Sequence, residues 1–214
     1  KRLDCLERIS DILKELPSIE KVVVVPYTES EPDISRVPKA VHYRDFISSE
    51  KGLEIKFEQL PFDHPLYIMY SSGTTGLPKC MVQSTGGILV HQLKEMILHT
   101  DLRRSDTIFY FTTCGWMMWN WLTSALGVGA TLVLFDGNPF HPEPGALWKM
   151  AQDEKISVFG TSAGYITALQ NAGVKPGKTY DLKNLRTILS TGSPLSRENF
   201  EYVYSDITPD VQLA

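Results

Sequence analysis

The sequence predicts an α/β fold, built on a largely parallel sheet with flanking helices. From residue 107 onward, short apolar runs alternate with segments in which apolar residues recur every three or four positions. The first pattern is typical of buried strands and the second of amphipathic helices. Strands and helices that alternate along a chain form βαβ units, and the strands of such units lie parallel in one sheet.

The first part of the chain predicts one helix, one strand and one long loop. Apolar residues recur at helical spacing over 3–16, and Pro17 ends that pattern. Four consecutive valines within 21–26 are typical of a strand that is buried on both faces. Residues 28–39 are rich in Pro, Glu and Ser and predict a loop.

The rest of the chain carries the alternating pattern. A strand at 66–70 precedes a stretch rich in Gly, Ser and Thr, and a short strand at 81–83 and a helix at 87–99 follow it. Further strands are expected at 108–112, 131–135, 156–159, 187–190 and 211–214. The helices between them are expected at 116–126, 146–154, 162–171 and 197–204. Because ligands of parallel sheets bind at the carboxyl ends of the strands, the segments that follow these strands are the first candidates for a site.

Composition excludes several classes of protein. The chain has 214 residues, a net charge of −4 and no basic stripe, so we expect no nucleic-acid partner. Its three cysteines, Cys5, Cys80 and Cys114, are widely spaced, which argues against a disulfide framework and favours a reducing compartment such as the cytosol. The histidines and cysteines show no metal-ligand spacing, so we expect no metal held by the chain's own ligands.

One uncharged stretch, 107–135, is long enough to be weighed as a membrane span. Polar residues and two glycines, Gly127 and Gly129, interrupt it. The pattern therefore favours a buried helix at 116–126 followed by a strand, and we expect no membrane span.

The most informative segment is 71–79, Ser-Ser-Gly-Thr-Thr-Gly-Leu-Pro-Lys. Glycines allow a tight turn and a close approach to a ligand, and successive N–H groups in such a turn form an anion site. Hydroxyls add donors, and Lys79 adds a charge suited to phosphate. The segment lacks the Gly-Lys-Ser/Thr ending of a P-loop and the spacing of a dinucleotide fingerprint. Alone it is also compatible with a solvated loop, but it favours a nucleotide-phosphate loop.

Two further segments follow predicted strands. Ser190-Thr191-Gly192-Ser193-Pro194-Leu195 is compatible with an ordinary strand-to-helix turn in which Ser196 caps the helix, or with a ligand-binding edge. The segment 112–121 contains three tryptophans in six residues, and such clusters belong to a core more often than to a site. The pair Gly115-Trp116 nevertheless follows a strand, so it stays a candidate for a pocket wall.

Taken together, these motifs resemble those of the adenylate-forming enzymes. The phosphate loop of that superfamily reads Ser/Thr-Ser-Gly-Ser/Thr-Thr-Gly-x-Pro-Lys, and 71–79 matches every position. Cys80 after the lysine, together with 57–66 and 188–195, is similar to the branch that activates acetoacetate. Gln83 stands where relatives usually have His, which affects the contacts behind the loop. Gly164-Tyr165 stands where that branch has Lys-Trp, which affects the shape of the acyl or CoA channel.

The resemblance implies an acid–CoA ligase that uses ATP, Mg²⁺ and CoA, with acetoacetate as its acid and only small molecules as partners. It implies that the β- and γ-phosphates contact Ser71, Ser72, Gly73, Thr74, Thr75 and Gly76. Thr74 and Lys79 would act in catalysis, Lys79 as a charge near the phosphates. The adenosine would lie against Gly192, Ser193 and Pro194. The acyl pocket would be lined by Gly115, Trp116, Met117 and Thr191.

The resemblance also implies that residues 1–214 are a partial AMP-binding domain. We expect an internal piece of the large N-terminal domain, without the C-terminal domain that completes the reaction. Three alternatives stay open. The first is a non-catalytic nucleotide-binding module, and the second is a fragment too incomplete to fold. The third is a part of a ligase for acetate or propionate.

Overall fold

The structure is a computed structural model that describes residues 4–71 and 76–214. The chain divides into two compact units, Lys1–Glu58 and Gln59–Ala214. Among the helices of the described ranges, none combines the length and the apolar character that a membrane span requires.

The first unit contains a two-stranded parallel sheet and two helices. The helices are α1 (Leu6–Glu15) and α2 (Tyr43–Phe46), and the strands are β1 (Val22–Val24) and β2 (Ala40–His42). The predicted amphipathic helix is confirmed as α1. The valine strand exists, but the expectation that it is buried on both faces is wrong. Its residues are only half buried, since within the described part of the chain β1 belongs to a two-stranded sheet with β2, and Val25 beyond it is 63% exposed.

The second unit is built on a five-stranded sheet with the order β6-β5-β7-β8-β9, in which every pair of neighbours is parallel. Its strands are β5 (Thr107–Tyr110), β6 (Thr131–Val133), β7 (Val158–Ser162), β8 (Thr187–Thr191) and β9 (Gln212–Leu213). The helices are α3 (Thr85–Lys94), α4 (Met117–Thr123), α5 (Ala146–Asp153), α6 (Ala163–Asn171), α7 (Pro176–Thr179) and α8 (Arg197–Tyr202). The predicted fold class is confirmed, although β2, α2 and α7 were not expected.

A separate hairpin precedes this sheet. Strands β3 (Pro65–Ser71) and β4 (Lys79–Ser84) pair with each other in antiparallel orientation and form a sheet of their own. The predicted strands at 66–70 and 81–83 are therefore present, but they do not join the parallel sheet. The antiparallel register brings Ser71 and Lys79, the first and last residues of the candidate phosphate loop, opposite each other.

Both faces of the parallel sheet are covered. On one face, Phe109, Phe159 and Ile188 pack with residues of α5, α6 and α8, and Trp148 stacks on Phe159 at 4.4 Å between ring centroids. On the other face, Ile108 and Val158 pack with the segments around α3 and α4. Neighbouring residues of one strand therefore belong to different core clusters, as expected for strands buried on two sides.

The amino edge of the sheet is held by an ionic cluster. Asp106, Ser157 and Arg186 each directly precede a strand, and those strands, β5, β7 and β8, are neighbours in the sheet. Nε and Nη2 of Arg186 donate to the two carboxylate oxygens of Asp106, at 3.3 and 2.5 Å. The hydroxyl of Ser157 donates to the same carboxylate at 2.9 Å. The cluster fixes three strand starts, and it lies at the edge opposite the candidate site.

Candidate functional site

The carboxyl edge of the parallel sheet gathers two of the three candidate segments. In the register of the sheet Tyr110 lies opposite Gly160, and Ser162 lies opposite Thr191. The loops that follow β5, β7 and β8 therefore leave the sheet side by side. These loops carry Gly115–Trp116 after β5 and residues 192–194 after β8.

The candidate phosphate loop lies between the two strands of the hairpin in the sequence. Ser71 and Lys79 lie directly opposite each other in the register of β3 and β4, so the loop starts and ends at one point. Gly76 adopts φ +98°, a left-handed conformation that favours glycine. The remaining predicted phosphate ligands, Ser72, Gly73, Thr74 and Thr75, lie outside the described residues.

A contact joins the hairpin to the helix that follows the Gly-Trp pair. Nδ2 of Asn120, in α4, donates to Sδ of Met69, in β3, at 3.3 Å. Helix α4 begins at Met117, directly after Trp116. The base of the candidate phosphate loop and the predicted wall of the acyl pocket thus belong to elements in contact.

The tryptophan-rich segment divides into a surface part and a core part. Trp116 is 70% exposed and Met117 is 50% exposed, while the N–H of Trp116 donates to the carbonyl of Thr113 at 3.0 Å and closes a turn. Trp121 is buried and packs edge-on against Tyr110 with ring centroids 6.1 Å apart. The exposed pair is available to a ligand, whereas Trp121 is part of the core.

The segment after β8 forms a turn beside helix α6. Gly192 adopts φ +92°, and Ser193 and Pro194 are exposed. A groove of about 550 Å³ lies between this turn and α6, lined by Ala163, Gly164, Thr167, Ala168, Gln170, Asn171, Ser193, Pro194, Ser196, Glu198 and Asn199. Two of the three predicted adenosine residues therefore line one groove. Gly115–Met117, Gly76 and Lys79 are not among the residues that line it.

Both helices beside this groove begin with a serine cap. Oγ of Ser162 accepts from the N–H of Tyr165 at 3.2 Å, and Oγ of Ser196 accepts from the N–H of Asn199 at 3.2 Å. The predicted Ser196 cap is confirmed. Hydrogen bonds from its own backbone and from Ser196 lower the pKa of Glu198, so this groove residue is a carboxylate at neutral pH.

Sequence reasoning missed two hydroxyls close to the carboxyl edge. Thr161 of β7 and Ser190 of β8 lie opposite each other, and Thr161 is 1% exposed. Within 4–71 and 76–214, neither hydroxyl has a hydrogen-bond partner. Buried hydroxyls of this kind are normally satisfied by water or a ligand. In the sequence, these hydroxyls could have been recognised as polar residues at the end of predicted, otherwise apolar strands.

Tyr165, at one of the two positions that differ from the acetoacetate-activating branch, lies in the core. It is 5% exposed, packs against Phe140 with ring centroids 5.4 Å apart, and belongs to the core cluster beside α5. Burial raises the pKa of its phenol. The change of residue at position 165 therefore affects the core, while its neighbour Gly164 lines the groove.

The described residues hold no group of three or more His, Cys, Asp or Glu side chains that suits a metal ion. The hairpin base carries the hydroxyl of Ser71 and the charge of Lys79, whereas the groove beside the sheet edge is lined by hydroxyls, by amide side chains and by the carboxylate of Glu198. A hydroxyl and a lysine at the hairpin base are groups that suit phosphate, and the phosphate site itself stays a prediction.

The fold and these motifs together define the class of protein. The chain matches the family described as AMP-binding enzyme over residues 3–211, so it belongs to that family.

The relatives narrow the class further. An acetoacetyl-CoA synthetase of Gallus gallus is 50% identical over 213 residues, which are 97% of this chain and 32% of that protein. A malonamoyl-CoA synthetase of Penicillium aethiopicum is 37% identical over 228 residues, with the same shares of the two chains. The solved structure of an acetoacetyl-CoA synthetase from Streptomyces lividans has a TM-score of 0.86 and 39% identity, and the match covers 100% of this chain and 33% of that one. The chain spans about a third of the length of the curated relatives it matches.

Proposed function

We propose that this chain is part of an ATP-dependent acid–CoA ligase that activates acetoacetate. A carboxylate oxygen of acetoacetate attacks the α-phosphorus of ATP, and pyrophosphate leaves, which gives an acyl-adenylate. The sulfur of CoA then attacks the acyl carbon, the thiol proton passes to solvent, and AMP leaves. The observation that carries the proposal is 50% identity to an acetoacetyl-CoA synthetase over 97% of the chain.

The hairpin loop supplies the phosphate contacts in this proposal. Ser71, Ser72, Gly73, Thr74, Thr75 and Gly76 bind the β- and γ-phosphates. Lys79 stabilises the charge that develops on the phosphate oxygens as pyrophosphate leaves. Thr74 and Thr75 hold the leaving group through their hydroxyls. The register of β3 and β4, which brings Ser71 and Lys79 to one point, supports this division of roles.

The two segments at the sheet edge bind the rest of the acyl-adenylate. Gly192, Ser193 and Pro194 face the adenosine, and Gly115, Trp116, Met117 and Thr191 line the acyl pocket. Parallel strand ends bring the loops after β5 and β8 to the same edge, which supports a ligand that bridges them.

The acids named in two relatives, an acetoacetyl-CoA synthetase and a malonamoyl-CoA synthetase, support a substrate acid with a second carbonyl group. Acetoacetate and malonamate are both short acids with a carbonyl carbon β to the carboxylate. Butyrate has the same chain length as acetoacetate and lacks that carbonyl, so it is the matched control for recognition of the β-oxygen.

The proposal includes Mg²⁺ and CoA. Mg²⁺ is commonly held through one or two carboxylates and the substrate's own phosphates, so a hydroxyl-rich loop fits a metal that arrives with ATP. When bound, Mg²⁺ neutralises phosphate charge. We place the enzyme in the cytosol, and the free thiols of Cys5, Cys80 and Cys114 support a reducing compartment.

The test is acid-dependent exchange of labelled pyrophosphate into ATP. It compares acetoacetate, butyrate and acetate, both on this chain and on its full-length parent. We expect exchange by the parent with acetoacetate and little with butyrate. Since the chain spans about a third of its relatives, we expect no exchange by the isolated chain.

The other outcomes separate the alternatives. Exchange with acetate or propionate in place of acetoacetate would identify a ligase for those acids. ATP binding without exchange by the parent would support a non-catalytic nucleotide-binding module. Aggregation of the isolated chain would show that it is too incomplete to fold alone, and it would leave the parent's activity unaffected.

The exposed Trp116 gives a prediction about acid size. We expect Trp116→Ala in the parent to increase exchange with hexanoate relative to acetoacetate, because removing a wide ring from a pocket wall makes room for a longer chain. Exposed side chains contribute little to stability, so the melting temperature should change little. Tyr204→Ala is the control, because it also removes an exposed ring, at a position far along the chain. Trp148→Phe would be unsuitable, since Trp148 is fully buried. If the ratio of the exchange rates with hexanoate and acetoacetate does not change, Trp116 does not line the acyl pocket.

A further inference from the structure

The groove between α6 and the turn after β8 has a polar network beneath it. Asn199, in the first turn of α8, is 4% exposed. Its Oδ1 accepts from Oγ1 of Thr167 at 2.8 Å, and its Nδ2 donates to Oε1 of Gln170 at 2.7 Å. Both partners lie on α6, so the side chain of one asparagine joins the two helices.

The same asparagine also fixes the end of the turn. Its backbone N–H donates to Oγ of Ser196 at 3.2 Å, and Ser196 is the cap at which the turn ends and α8 begins. The turn starts at Gly192, whose φ of +92° places it in a conformation accessible mainly to glycine. The turn is therefore anchored by the sheet at one end and by Asn199 at the other.

One of the two partners of Asn199, Thr167, is itself held by a second hydrogen bond. Oγ1 of Thr167 lies 3.0 Å from the carbonyl oxygen of Ala163, so its single proton is shared between that carbonyl and Asn199. Thr167, Gln170, Ser196 and Asn199 line the groove together with Ser193 and Pro194. A shift of Asn199 would therefore move the turn relative to α6 and change the width of the groove.

We infer that Asn199 is a positioning residue that acts through Ser196 to hold Ser193 and Pro194 in place for the adenosine of ATP. This inference rests on the proposed function, because the turn's role in adenosine binding is part of that proposal. The inference goes beyond the proposed function, because it states that the contact between α6 and α8 controls the affinity for ATP. Small displacements of binding groups have large effects on binding and rate, so a weaker anchor should reduce affinity for ATP first.

The test removes one hydrogen bond of the network in the full-length parent. Thr167→Val keeps the shape of the side chain and removes the donor to Asn199. Thr167 is exposed, so the variant is expected to fold, whereas truncating the buried Asn199 itself risks the fold. Thr167→Ser restores the hydroxyl. The measurements are KM for ATP and KM for acetoacetate in pyrophosphate exchange, together with the melting temperature.

We expect Thr167→Val to raise KM for ATP about tenfold, with KM for acetoacetate within about twofold of wild type, and Thr167→Ser to restore KM for ATP. Thr179→Val is the matched control, since Thr179 donates to the carbonyl of Lys175 at 3.2 Å in α7, and its loss should leave both KM values unchanged. A lower melting temperature with an unchanged KM for ATP would overturn the inference and leave a structural role. Absence of exchange by the wild-type parent would instead overturn the proposed function.

Discussion

Replacing Lys79 with alanine in the full-length parent is expected to lower the rate of acetoacetate-dependent pyrophosphate exchange about 100-fold. Charge develops on phosphate oxygens when pyrophosphate leaves, and a positioned donor in such a site contributes about 3 kcal/mol to the barrier. Lys79 begins β4 opposite Ser71, so its charge is placed where the loop closes. The side chain is exposed, so its removal should leave the melting temperature nearly unchanged.

Two variants control this experiment. Lys149→Ala also removes one positive charge, but from an exposed ion pair with Asp153 on α5, and it should keep full activity. Lys79→Arg retains the positive charge and changes the geometry of the cationic group. Partial activity of this variant is expected if the charge stabilises the phosphate oxygens. Turnover by Lys79→Ala equal to that of wild type would exclude Lys79 from the phosphate site.

The fold class was predictable because the alternation of strands and helices is a local pattern. Apolar runs at 108–112, 131–135 and 187–190 identified strands of the parallel sheet to within a few residues. The hairpin was not recognised, because an apolar run indicates a strand without showing which partner it pairs with. The burial of β1 was overestimated for a related reason, since four valines show that a strand is apolar but not how much surface covers it.

The candidate site was predictable where one stretch of sequence carries the chemistry. The nine residues 71–79 contain glycines, hydroxyls and a lysine in one loop, so their pattern is visible without a structure. The roles of Asn199 and Thr167 were not visible, because the two residues are 32 positions apart and meet only when α6 and α8 pack. Trp116 and Trp121 were ambiguous in the sequence, and only tertiary packing separates the exposed ring from the buried one.

Asp106→Asn is expected to destabilise the parent's AMP-binding domain by about 2–3 kcal/mol at pH 7. The carboxylate of Asp106 is 9% exposed and accepts hydrogen bonds from Arg186, from Ser157 and from the N–H of Arg103 at 2.6 Å. Asparagine has a similar shape but no charge, so Arg186 loses its short ion pair at the starts of β5 and β8 and keeps the longer one with Asp101, at 3.5 Å. Urea denaturation of the two proteins measures the difference. Asp153→Asn, which breaks an exposed pair, should cost under about 1 kcal/mol.

The pH dependence of the stability lost in Asp106→Asn tests whether the charge of the Asp106 carboxylate is the cause of that loss. Burial raises the pKa of Asp106, but hydrogen bonds from Arg186, Arg103 and Ser157 and the charge of Arg186 outweigh that effect and hold the pKa below its ordinary value. A carboxyl group with a lowered folded-state pKa stabilises the fold fully above its unfolded pKa of about 3.9 and loses that contribution as the pH falls through the folded value. The stability gap between wild type and Asp106→Asn should therefore be constant from pH 7 to about pH 5 and should narrow below about pH 4. A gap that stays constant down to pH 3 would show that the loss comes from altered packing, because packing does not titrate.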